Sequence, residues 1–219
     1  MTVGVIVLVT LAPNCGGELS SVDANLKLLA DEGWSINPRF GAGRAAANEP
    51  MLYFAEPYQS IGAFGLLEAP DLRAIEDGIA RLQASSWNRA FERTRWLVGQ
   101  RDQAPSLSKE AREADLGFLA LWDWNDAWHK ATPDERTSYD AECDVAFDFD
   151  TAIGCDIFGR FDMGGCSGWD HAALWEVPNL AALTKAMDAH EAQRDFMYTT
   201  SSHFIGRPVT LRELGAIVA

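Results

Sequence analysis

Basic side chains are scarce in this 219-residue sequence: 18 lysines and arginines stand against 32 aspartates and glutamates, a formal charge of −14. Such a balance repels a phosphate backbone at long range and leaves no basic footprint, which argues against nucleic acid as a partner. Long hydrophobic runs are missing as well. The most apolar stretch, MTVGVIVLVTLAP (1–13), has no basic n-region, and its run of about ten apolar residues falls short of the ~20 that cross a bilayer as a helix. It reads as a buried strand, so no membrane association is expected. Cysteines number only four, Cys15, Cys143, Cys155 and Cys166. With no C-x-x-C pair among them, they suit reduced thiols in a cytoplasmic protein. No G-x-G-x-x-G follows a strand, no C-x-x-C-H is present and no standard metal-ligand spacing occurs, which argues against nicotinamide, flavin, attached haem and zinc in turn.

What is present is an ordinary globular composition, 47% hydrophobic and 23% charged, in a length that suits one large domain or two of about 100 residues. An internal repeat decides between them. GLLEAPDLRAIEDGIARL (65–82) aligns without a gap on ALWEVPNLAALTKAMDAH (173–190). Glu68 and Pro70 match Glu176 and Pro178, and Leu72, Ile75 and Ile79 match Leu180, Leu183 and Met187 at the i, i+3, i+7 spacing of one helical face. Asp71 and Asn179 follow the prolines and suit N-caps. Upstream, VGVIVLVT (3–10) falls on LGFLALWD (116–123); downstream, WLVGQ (96–100) falls on HFIGR (203–207) with one residue of slip, which makes Trp96 the counterpart of His203.

Each copy therefore reads β-α-β-β-α-β, the split βαβ plan of ferredoxin-like folds. The expected class is α+β, with half one at 1–104, a polar linker at 105–115 and half two at 116–219. The Gly/Ala-rich segment NPRFGAGRAAANEP (37–50) has no counterpart of equal length and reads as a surface loop, with a lid over a pocket as the sharper alternative.

This tandem plan resembles the dimeric α+β barrel superfamily, and WDWNDAWHKATPDERTSYDAE (122–142) with PNLAAL (178–183) is loosely similar to its darcynin-type members. The resemblance implies an intramolecular pseudo-dimer whose two sheets face each other around a ligand-holding interior, in a chain that acts as a monomer or pairs again as a homodimer. It implies no single activity, because members include cofactor-free monooxygenases, polyketide cyclases, haem-binding enzymes and proteins without known chemistry.

Strand alternation sorts the candidate site residues by face. Trp122 and Trp124 share one side of the first strand of half two, opposite Asp123. Trp169, His171 and Trp175 share one side of GWDHAALWEV (168–177), where half one carries Ile61, Ala63 and Leu67. Asp156, Phe158, Arg160 and Asp162 alternate along CDIFGRFDM (155–163), where Arg160 could anchor a carboxylate or enolate. His171 and His203 suit proton transfer, since an unperturbed imidazole titrates near neutrality. His190 occupies the packing position of Leu82 and reads as a core histidine, His129 as a solvated loop residue, and the acidic run DVAFDFDTAIGCD (144–156) as a solvated helix end.

The expectation drawn from this set is a small-molecule enzyme without a dissociable cofactor or metal, acting on a hydrophobic aromatic or polyketide-like compound as a cyclase, isomerase or monooxygenase of secondary metabolism. His171, His203, Arg160 and Asp123 would carry its acid/base work. Trp122, Trp124, Trp169, Trp175, Phe158 and Trp96 would line its ligand site. A non-catalytic ligand-binding or stress-response barrel is one alternative, and a packed interior would favour it. A haem-dependent enzyme is another, with His171 or His203 as the neutral axial ligand that haem requires.

Overall fold

The computed structural model describes residues 2–36, 50–56, 59–109, 114–164 and 168–218. The described residues form two compact units, the first of 2–36, 50–56, 59–101 and 205–218, the second of 102–109, 114–164 and 168–204. The class is α+β, as the repeat predicts.

The first unit runs β1 (Val3–Leu11), α1 (Gly16–Asp31), β2 (Ser35–Ile36), β3 (Met51–Phe54), β4 (Ala63–Ala69), α2 (Leu72–Ala84), α3 (Trp87–Ala90) and β5 (Phe91–Arg101). Strand β1 lies antiparallel between β4 and β5, with Val7 opposite Gly65 on one side and Trp96 on the other. A strand with neighbours on both edges and core on both faces needs an unbroken apolar run, which explains VIVLV. The core gathers Val5, Val7 and Val9 with Leu19, Val22 and Leu26 of α1 and with Trp34 and Ile75.

The second unit runs β6 (Leu116–Trp124), α4 (Asp126–Lys130), α5 (Pro133–Ala152), β7 (Asp156–Asp162), β8 (His171–Val177), α6 (Leu180–Ala192), α7 (Asp195–Tyr198) and the start of β9 (Thr199–Thr210). The strands lie in the order β7-β8-β6-β9. From Ile205 the chain groups with the first unit, where β9 pairs with β3 and leads into α8 (Leu211–Ile217).

The helix starts follow the sequence closely. Asp71 accepts the N–H of Ala74 at 2.8 Å and Asn179 that of Ala182 at 2.9 Å, each cap adding about 1 kcal/mol. Thr132 and Glu135 close a capping box ahead of α5. The buried stripe differs by one turn from the periodicity, however. Leu72 and Leu180, the first residues of their helices, are 53% and 60% exposed, whereas Ile75, Gly78 and Leu82, and Leu183, Ala186 and His190, face the core.

Two expectations about β7 and its surroundings are corrected. A bulge between Ile157 and Arg160, with Gly159 at φ 107°, sets two residues against one of β8, so alternation does not carry through the strand. Asp156 falls opposite Glu176, on the face away from Arg160 and Asp162, and accepts hydrogen bonds from the backbone N–H and hydroxyl of Ser108. The acidic run is not solvated throughout either, since Asp150 is 1% exposed. The lid reading of 37–50 falls, apart from Pro50, outside the described residues. No helix among the described residues is long and apolar enough to cross a membrane.

Candidate functional site: a slot between sheet and helices in the second unit

Register builds the floor of the site. Phe118 lies opposite Trp175, Ala120 opposite Ala173, and Trp122 opposite His171 across β6 and β8, while β7 adds Arg160 to the alanine rung. Two methyl groups side by side, with bulky rings on the rungs before and after, leave a trough across the sheet. Helix α5 covers it with Tyr139, Cys143, Phe147 and Asp150, one face at i, i+4, i+8 and i+11, and α6 adds Leu183, Ala186, Met187 and His190 on its own face. The cavity so enclosed has a volume of about 390 Å³ and is lined by 26 residues, all of the second unit. That lies within the roughly 300–1,000 Å³ usual for ligand sites.

Of the residues singled out from sequence, the cavity wall brings together His171, His203, Arg160, Trp122, Trp124 and Trp175. The other four lie elsewhere. Asp123 accepts the backbone N–H of Asp170 at 2.7 Å and so ties β6 to the start of β8. Trp169 precedes β8 outside the cavity, Phe158 sits in the β7 bulge and is buried in the core, and Trp96 belongs to the first unit, 4.9 Å from the ring of Trp87. The remaining tryptophan of WDWNDAWHK, Trp128, folds back on α4 to stack on Trp124 at 4.0 Å, while His129 is exposed. Among the described residues no cluster of three or more metal-ligating side chains occurs.

The electrostatic centre of the cavity is one that the sequence reading missed. His190 Nδ1 lies 2.9 Å from Asp195 Oδ2, and its Nε2 lies 3.1 Å from Asp150 Oδ2. Asp150 Oδ2 also accepts the indole N–H of Trp175 at 3.0 Å, and the hydroxyl of Tyr139 donates to Asp195 Oδ1. Burial works against a charge on His190, but the hydrogen bonds and charges of the two carboxylates outweigh it and raise its pKa to about 9. At neutral pH it is an imidazolium that donates from both nitrogens. Asp195 is held below the usual carboxylate range because the His190 and Tyr139 hydrogen bonds overcome its burial. The Tyr139 hydroxyl is pushed upward by burial and by Asp195 and stays protonated.

His171 and His203 behave in the opposite way. Burial lowers both values, so both rings are neutral, and neither has a hydrogen-bond partner in the protein among the described residues. His171 lies flat on Trp122 at 5.3 Å, whereas His203 leans on Phe118 at 5.2 Å and Phe196 at 5.9 Å. Burial also pushes the thiols of Cys143 and Cys155 up to about 12, which leaves them inert small hydrophobes.

No family model matches the sequence, and no curated protein does. Solved structures that share the fold include chlorite dismutases. A double variant of the chlorite dismutase from Candidatus Nitrospira defluvii superposes with a TM-score of 0.75 at 10% identity, covering 100% of this chain and 95% of that one. The same enzyme in complex with imidazole gives 0.75 at 9% identity, over 99% and 94%. The putative chlorite dismutase TA0507 gives 0.67 at 14% identity, over the whole of both chains. These proteins belong to the dimeric α+β barrel superfamily, and the likeness is one of fold. It also corrects the expectation of a site without a cofactor, because these chlorite dismutases are haem-dependent.

Proposed function

We propose that the slot of the second unit binds haem, with the imidazole of His203 as protein ligand to the iron, in an enzyme that acts on a small molecule. The observation that carries this reading is the state of His203: a neutral imidazole, open to the cavity, with no hydrogen-bond partner among the described residues. Iron ligation needs such a ring. His190 is unsuited, since both its nitrogens are engaged by carboxylates. His203 is preferred to His171 because the ring of His171 is stacked flat on Trp122 and meets Trp124 edge-on, whereas His203 meets Phe118 and Phe196 only at a tilt.

The remaining walls fit a flat macrocycle. The Ala120–Ala173 rung leaves room above the sheet, and Phe118, Trp122 and Trp175 offer aromatic faces. Arg160 supplies a cation for an anionic substituent. Bound there, haem would supply one-electron and oxygen chemistry, with the pocket's polarity and hydrogen-bond donors deciding between them. The neighbours' own activity on chlorite is left to them, since identities of 9–14% carry fold alone.

Titration of the purified protein with haemin tests the reading. One haem per chain and the intense absorption band of histidine-ligated haem are expected, with the band lost in His203→Ala and kept in His171→Ala. A protein that stays colourless, or a band untouched by His203→Ala, overturns it.

A further inference from the structure

Two buried atoms of oppositely charged side chains line the slot without a protein partner. Asp150 engages Trp175 and His190 through Oδ2 alone, and its buried Oδ1 has no hydrogen bond. The buried Nε of Arg160 is equally bare, and its guanidinium lies over the ring of Phe147 at 5.0 Å. Native interiors satisfy nearly all such atoms, so two exceptions in one cavity point to a molecule that completes them. They are not paired with each other. Phe147 lies near both, since its ring stacks on Trp175 at 6.1 Å and 17°, and Trp175 holds Asp150. An acceptor, a donor and an aromatic wall therefore share one side of the slot.

We propose that the slot binds a hydroxylated aromatic acid, whose O–H donates to Asp150 Oδ1, whose carboxylate accepts from Arg160 Nε, and whose ring lies against Phe147 and Trp175. His190 is the positioning residue. By donating to Oδ2, it fixes the orientation of the Asp150 carboxylate and leaves Oδ1 as the acceptor. Arg160 and Trp175 serve either ligand, so the acid and haem are alternative occupants of the slot, and this inference does not rest on the haem.

Calorimetric titration of the protein without added haem, using 4-hydroxybenzoate, 4-methoxybenzoate and phenol as probes, tests it. The hydroxy acid is expected to bind at least tenfold more tightly than either of the others, because each lacks one of the two polar contacts. Asp150→Asn should remove the preference for hydroxy over methoxy acid, and Arg160→Gln should weaken both acids and leave phenol unchanged. The comparison of probes in the unaltered protein needs no variant to fold. Equal affinity for the hydroxy and methoxy acids, or no binding of either, overturns the proposal. Haemin binding by the same preparation is scored separately, so each reading can fail alone.

Discussion

Replacing His190 by leucine restores the residue that the first copy carries at Leu82, and on packing grounds it should be harmless. The structure predicts otherwise. Removing the imidazolium leaves Asp150, 1% exposed, and Asp195 without their shared cation; breaking a buried pair in this way costs about 3–5 kcal/mol. Linkage gives a similar figure: a rise from an unfolded value near 6.5 to about 9 corresponds to about 3 kcal/mol. In a chain of this length that lowers the melting temperature by roughly 6–12 °C. The pH dependence distinguishes charge from packing. The folded pKa of His190 lies above the unfolded one, so its stabilisation is complete below about pH 6.5 and fades as pH rises through about 9. In the variant, Asp195 loses the His190 hydrogen bond that holds it below the usual carboxylate range, so the gap also narrows as pH falls towards about 4. Thermal unfolding of both proteins at about pH 4, 7 and 10 should therefore show the largest gap in the middle. A gap equal at all three, or none at pH 7, refutes the charge argument.

Further outcomes follow from the packing. Gly78→Ala should destabilise by about 1–3 kcal/mol despite the better helix propensity of alanine, because its Cβ would lie 2.3 Å from Cζ2 of the buried Trp34; denaturant titration measures it, and a stabilised variant would show that Trp34 moves freely. Cys143 and Cys155, buried and with pKa values about 12, should resist a thiol reagent in the native protein and react on unfolding, as read site by site by mass spectrometry. Native-state labelling at either would contradict the burial assigned to α5 and the start of β7.

The fold is legible in the sequence where local chemistry and repetition agree. Asp71 and Asn179 cap their helices, and the unbroken VIVLV run becomes a strand with neighbours on both edges. The site is legible only in part, because its centre depends on residues far apart in the chain. Asp150 looks like one more acid in DVAFDFD, and His190 like a packing residue. Only the meeting of α5 and α6, 40 residues apart at this point, turns them into an ion pair. Alternation fails along β7 for a different reason: a bulge leaves no periodic trace, and Gly159 within the strand was the one available sign of it. A cofactor leaves still less, since a single ligating histidine has no spacing to recognise.

The bulge at Gly159 makes the inventory of the slot a matter of odd and even. Beyond it, Arg160 and Asp162 lie opposite Ala173 and His171, while Phe161 lies opposite Ala172. Deleting one residue of the bulge would exchange the two sets, turning the arginine outward and the phenylalanine in, with no side chain of the cavity itself altered. The chemistry of this wall is thus encoded less by which residues β7 contains than by how many precede them. A lineage could gain or lose the arginine by a one-codon insertion or deletion, a change that a comparison of residue types alone would record only as a gap.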